Sequence, residues 1–210
     1  MSVISNLIFS LKKPKIIFLS GAFQKETKEI ISHIFKDKFK IVQDVLIFKE
    51  DFKNKEEIEF LVKKSSQTII LVNNINEIIF DDGRISGQGL SQEETDKEIE
   101  KIKEIIKFLS YKSFLVLNFD DDMVRRIKNE GAENILTFGF HEHADFQVTD
   151  IKMDEGTNFK INYRGNVMPF WLQKPCERSF IYTALAAVAI GTIFDLNLVE
   201  ISQSIKDYKL

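Results

Sequence analysis

The chain has 210 residues, 44% hydrophobic and 29% charged, with 29 Lys and Arg against 32 Asp and Glu for a formal charge of -3; this is the make-up of an ordinary globular domain, not of a disordered or fibrous chain. One cysteine excludes an internal disulfide framework, a cysteine zinc knuckle and a dithiol centre, and it fits a reducing, cytoplasmic setting. The balanced charge gives no domain-wide basic field for nucleic acid and leaves only local patches.

Met1 to Leu11 has no basic region ahead of its apolar residues, so no secretory leader is expected. Lys15 to Ser20 is a short apolar run after Pro14; it empties into Gly21-Ala-Phe-Gln-Lys25 and then an amphipathic stretch with Ile30, Ile31 and Ile34 on one face, which reads as strand, turn and helix. Val45 to Phe48 and Thr68 to Val72 are further strands around a charged helix at Glu56 to Lys64. A polar loop with three glycines spans Asp81 to Ser91, read as a lid or a loop without fixed structure, and a helix with Ile99, Ile102, Ile105, Ile106 and Leu109 on one face runs from Glu93. Ser113 to Asn118 is a strand, Asp120 or Asp121 caps a helix through Asn129, and Asn134 to Phe138 is the next strand. The alternation predicts a mostly parallel sheet flanked by helices. After Gly139 the pattern changes to alternating strands at Phe146 to Met153, Phe159 to Tyr163 and Val167 to Trp171, an antiparallel meander, closed by helices at Arg178 to Phe194 and Leu198 to Tyr208. The expectation is one domain over 1–210, with an α/β part at 1–139 and the meander plus helices at 140–210. Leu185 to Phe194, the longest apolar stretch, is far short of the ~20 residues that span a bilayer, so no membrane insertion is expected.

The strand-turn-helix at Lys15 to Lys25 invites comparison with a phosphate loop, which needs glycines so that backbone N–H groups converge, a lysine for the β- and γ-phosphates, and a hydroxyl beside it for magnesium. Gly21 and Lys25 are present; Gln24 stands where the second glycine belongs and Glu26 where the hydroxyl belongs. A carboxylate ~4 Å from a phosphate charge costs about 4 kcal/mol at an effective dielectric near 20. A one-residue slip would let Thr27 supply the hydroxyl. Elsewhere, His141-Glu142-His143 with Asp145 is either a metal pair on one strand face or a solvated loop. Cys176 reads as a structural thiol, His33 as a boundary residue of its helix, and the Glu-to-Lys spacings after Glu93 as a solvated face.

Three stretches resemble the central, ATP-binding domain of the Mur ligases, and among them most closely that of the enzyme joining D-alanyl-D-alanine to a UDP-muramoyl tripeptide. They are Lys13 to Gly21 with Lys25 and Thr27-Lys-Glu29; Val116-Leu-Asn-Phe-Asp-Asp121; and Ile135 to Asp150 with the meander and Tyr182-Thr-Ala-Leu-Ala-Ala187. The resemblance implies a phosphate-loop α/β fold, ATP and Mg2+ as cofactors, formation of an acyl phosphate for attack by an amine, and a role in peptidoglycan synthesis. It implies a nucleotide site, if one works, at Gly21, Lys25, Thr27, Asn118, Asp120, Asp121 and Arg178. It also implies losses: the family's magnesium-binding lysine falls at about Ile102, its histidine near Ile79, its magnesium-binding glutamate is represented only by Lys49-Glu50-Asp51, and its adenine-site tetrad is Glu177-Arg178-Ser179-Phe180. No counterpart of the family's flanking N- and C-terminal domains is expected in these 210 residues.

Three functional readings follow. One is a catalytically inactive binding or scaffold module whose partner is a protein, an active ligase or another wall-synthesis protein. Another is an ATP-dependent acid–amino-acid ligase or nucleotide-binding subunit completed by domains on another chain. The third is a regulator that binds nucleotide without hydrolysis. Fold likeness separates none of them, because function resides in the site.

Overall fold

The computed structural model describes residues 9, 11–41, 43–49, 54–75, 78–79, 85–86, 91–128 and 131–209. The apolar, β-branched run after Pro14 forms β1 (Lys15–Ser20), and both its faces are buried, as a strand in the middle of a parallel sheet requires. It is followed by α1 (Gln24–Phe35), β2 (Val45–Lys49), α2 (Lys55–Lys64) and β3 (Gln67–Val72). Then come a short hairpin, β4 (Ile78–Ile79) and β5 (Ile85–Ser86), α3 (Gln92–Ile106), β6 (Phe114–Asn118), α4 (Asp122–Arg125) and β7 (Ile135–Gly139). The expected loop at Asp81 to Ser91 falls largely outside the described residues, and of it only β5 and Ser91 are seen.

α3 begins at a capping box in which Ser91 and Glu94 exchange side-chain to backbone bonds. Its outer face carries Glu93–Lys97 and Glu98–Lys101 pairs, as the spacing predicts, while Ile99, Ile102, Ile105 and Ile106 are buried. The helix stops at Ile106, before Leu109, and the chain tightens there: Phe108 N and Leu109 N bond back only three residues. The helix expected through Asn129 is likewise a single turn. Arg126, Ile127 and Lys128 also bond back three residues instead of four, and the tighter winding turns Ile127 fully into the core.

β8 (Phe146–Met153), β9 (Thr157–Tyr163) and β10 (Asn166–Leu172) do not form a separate layer but continue the same sheet, whose order is β10-β9-β8-β7-β6-β3-β1-β2. β8 pairs with β7 in parallel over only Phe138–Phe146 and Gly139–Gln147. It starts where β7 ends and runs past it, so the six residues between them suffice where a full parallel pair needs a dozen or more. The β8–β9 and β9–β10 pairs are antiparallel, with a bulge at Thr149–Lys152 where Asp150 takes a left-handed backbone.

Two helices close the chain, α5 (Arg178–Ile193) and α6 (Leu198–Lys206). Alternate strand residues face two cores. Ile17, Leu19, Ile69, Leu71 and Val116 pack beneath α1, α5 and α6, and Ile16, Phe18, Ile70, Val72 and Leu115 beneath α2 and α3. α5 is apolar nearly all round because the sheet, α1 and α6 enclose it. No helix among the described residues is long and apolar enough to cross a membrane.

Candidate functional site at the carboxyl ends of the parallel strands

In an open α/β sheet, ligands bind beyond the carboxyl ends of the strands, where the strand order reverses. Here the reversal lies at β1, between β2 and β3, and the residues following β1, β3, β6 and β7 form one hydrogen-bonded chain of contacts.

Gly21 ends β1 with φ +84°, and a Cβ there would lie 2.4 Å from the Asn74 carbonyl oxygen. Ala22 N donates to that same oxygen at 3.1 Å, so the turns after β1 and β3 touch directly. Phe23 enters α1 in the left-handed conformation with no side-chain cap. The Gln24 side-chain amide donates to the Gly21 carbonyl at 3.1 Å, bridging the turn. Lys25 is exposed on the first turn of α1 and Glu26 is half-buried. Thr27, which a one-residue slip would bring to magnesium, is fully buried, and its hydroxyl donates to the Phe23 carbonyl at 2.7 Å. The slip is therefore not seen: the hydroxyl points back along its own helix.

The end of β6 is tied to its neighbours. Asn118 is fully buried; its amide donates to the side-chain oxygens of Asn73 at 3.1 Å and Asn74 at 3.2 Å, and its oxygen accepts from Asp120 N at 3.0 Å. Asp121 is the N-cap of α4, accepting from Met123 N and Val124 N, and its other oxygen accepts from Ile75 N at 3.0 Å. Asp120 does not cap a helix. It accepts from Phe140 N at 2.6 Å, His141 N at 2.9 Å and the Tyr182 hydroxyl at 2.8 Å. A Cβ on Gly139 would lie 2.7 Å from this carboxylate, so glycine lets β7 pass beside it. Burial, reinforced by the Asp120 charge, pushes the Tyr182 phenol well above its usual range, so it stays protonated and donating. Arg178, one turn before Tyr182, lays its guanidinium 3.8 Å from the centroid of the Phe140 ring.

The structure thus gathers Gly21, Asn118, Asp120, Asp121 and Arg178 along one edge, with Lys25 exposed beside it and Thr27 turned away. Tyr182, Asn73, Asn74 and Phe140 complete the contacts. The signals for them were an Asn-Asn pair directly after a strand and the four-residue step from Arg178 to Tyr182 on one helix face.

The remaining candidates lie apart. His141 and His143 stand in the turn between β7 and β8, not on a strand face, and are exposed; His141 Nδ1 accepts from His143 N at 3.2 Å. Asp145 is engaged with Thr137, accepting from its N and its hydroxyl, both at 2.7 Å. Among the described residues no group of three or more His, Cys, Asp and Glu is placed to hold a metal ion. Ile102 is buried in the core under α3, Glu50 and Asp51 lie outside the described residues, and only the backbone of Ile79 is described. Cys176 is buried, its thiol donates to the Lys174 carbonyl at 3.1 Å, and burial raises its pKa.

Residues 91–191 match the Mur ligase middle domain. Among sequence relatives, the UDP-N-acetylmuramate–L-alanine ligase of Hydrogenobaculum sp. is 33% identical over 119 residues, covering 54% of this chain and 26% of that protein. Among solved structures, MurF from Acinetobacter baumannii superposes with a TM-score of 0.74 at 16% identity, covering 98% of this chain and 48% of the other. MurF from Thermotoga maritima, solved with ADP, gives 0.71 at 14% identity over 99% of this chain and 51% of the other. The chain spans about a quarter of that sequence relative and about half of those structures. Residues 91–191 are therefore similar in sequence to the Mur ligase middle domain, and nearly the whole chain shares the fold of Mur ligase structures.

Proposed function

We propose that this chain is a catalytically inactive Mur-ligase-like module that acts by binding a protein partner. The observation that carries this reading is that polar groups at the place of the phosphate loop and the β6 strand end are already engaged by hydrogen bonds within the protein. The Asp120 carboxylate already accepts from three donors, the Thr27 hydroxyl is buried against Phe23, and the Gln24 amide bridges the turn at Gly21. Opening such contacts costs about 1–3 kcal/mol for each buried group left unpaired, on top of the repulsion from Glu26. Magnesium and a triphosphate do not fit this donor set, and no step is derived through them. The partner is a wall-synthesis protein, in keeping with the relatives' place among peptidoglycan precursor ligases.

A second reading keeps the ligase chemistry and draws the other domains of a Mur ligase from another chain. It is favoured by one observation: Lys25 is exposed at the start of α1, beside the turn that would hold the phosphates. The two separate in a thermal melt with and without 5 mM Mg-ATP, run on the wild type and on Lys25→Ala. Binding at 1,000 times the dissociation constant adds about 4.1 kcal/mol, or roughly 8 to 16 °C for a chain of this length. The inactive module shows a shift below 1 °C in both proteins. A large shift that Lys25→Ala removes sinks the inactive reading.

A further inference from the structure

The opposite edge of the sheet, at the amino ends of the parallel strands, carries a feature that neither reading uses. Lys15 begins β1, Val45 begins β2, Gln67 begins β3 and Phe114 begins β6, and two grooves run along these ends. One, about 440 Å³, is lined by Lys12, Lys13 and Lys15 with Phe39 and Asp44; the other, about 460 Å³, by Lys15, Lys112, Tyr111 and Asn134. They share Lys15 and Ser66 and so abut.

In this fold the helices that precede the strands end at this edge, and their partial negative charge accounts for lysines in last turns such as Lys63 and Lys64. It does not account for Lys112, which stands in the segment leading into β6; Lys12 ends a helical turn at this edge and Lys13 follows it. That helical turn is closed at its end: Lys13 N donates to the Phe9 carbonyl at 2.9 Å and Lys13 takes a left-handed backbone with φ 46°. Lys15 Nζ lies 4.5 Å from the Phe194 ring centroid and Lys112 Nζ 5.5 Å from that of Tyr111, aromatic faces that leave the ammonium charge uncancelled. Among the described residues the one carboxylate lining the grooves, Asp44, accepts from Lys40 N at 3.0 Å. On a chain of net charge -3 this edge is a local concentration of positive charge.

We propose that this edge is a docking groove for an acidic, extended peptide segment of a partner protein. Charge complementarity selects an acidic occupant, and the dimensions select a peptide. From β2 across β1 and β3 to β6 is three inter-strand steps, about 14 Å at 4.7–4.9 Å each, the length of roughly four extended residues. A lone phosphate would engage one end only, and Tyr111, 66% exposed, offers an aromatic face to an apolar side chain between the acids. A nucleic acid needs a wider basic field than four lysines on an acidic chain.

The test is fluorescence polarisation with a fluorescein-labelled Glu-Glu-Phe-Glu-Glu peptide, using the full chain at 50 mM and 500 mM NaCl. Two charge-reversal pairs with the same change in net charge are compared: Lys13→Glu with Lys112→Glu in the groove, and Lys97→Glu with Lys101→Glu on the outer face of α3. Circular dichroism confirms that both fold. The expected result is saturable binding that weakens at least tenfold in the groove variant, less than twofold in the α3 variant, and at least tenfold at the higher salt, where the screening length contracts. Absence of binding, or equal losses in the two variants, overturns the proposal. So does tighter, groove-dependent binding of labelled dT12 or of vesicles containing phosphatidylserine, since either would assign the groove to a different partner. These outcomes are independent of whether Mg-ATP shifts the melt.

Discussion

Asp120 shows how one side chain can tie three segments of a fold together. As a residue after a strand it reads as a cap or, by the family resemblance, as part of a nucleotide site, and in the fold it is a tie between β6, the β7–β8 turn and α5. Removing the phenolic donor leaves that carboxylate short of a partner, so Tyr182→Phe is expected to cost about 1.5–3 kcal/mol, seen as a lower urea midpoint with an unchanged slope. Titration at the residue scale belongs to His33, whose Nε2 is buried without a partner among the described residues and whose ring meets Tyr208 edge-on at 5.3 Å. Burial first, then the charge of Lys36, lowers its pKa from 6.5, against opposing effects of Ser204, Asp207 and Asp37. The folded protein therefore holds His33 neutral where the unfolded chain takes up a proton. This contribution to stability is complete above the unfolded value and is lost as pH falls through 6.5 toward the lower folded value. Urea midpoints measured from pH 8 to 5.5 should fall, and His33→Gln should flatten the slope.

At the scale of elements, α3 packs an isoleucine face against the sheet. Ile102, where the family resemblance places a magnesium-binding lysine, is 1% exposed among Ile58, Ile70 and Leu117. Ile102→Lys is expected to cost more than about 3 kcal/mol, because it buries an unpaired ammonium in an apolar layer; the checks are the melting temperature and the absence of any Mg2+-dependent recovery. Strands and helices with strong periodicity were legible from the residues: β1, α1, β3, α3 and the meander all lie within a few residues of where their apolar spacing puts them. Where periodicity and tertiary packing compete, packing wins. α4 is one turn long because Ile127 must reach the core, and His141 to Asp145 is a turn because β8 starts level with the end of β7.

At the scale of the whole molecule, the two edges of the sheet differ in kind. The carboxyl edge carries polar groups tied together by hydrogen bonds between its turns, and the amino edge is grooved and basic. The order and class of the elements, the two-faced core and the Mur ligase likeness were all determined by the sequence alone, since hydrophobic period and strand-end motifs are local properties of the chain. Only the tertiary structure decided that Thr27 faces its own helix, that Asp120 accepts from groups 20, 21 and 62 residues away, and that lysines at 12, 13, 15 and 112 share one edge. Such hydrogen bonding and charge clustering depend on which distant segments meet, and no spacing along a single chain encodes that until the sheet has assembled.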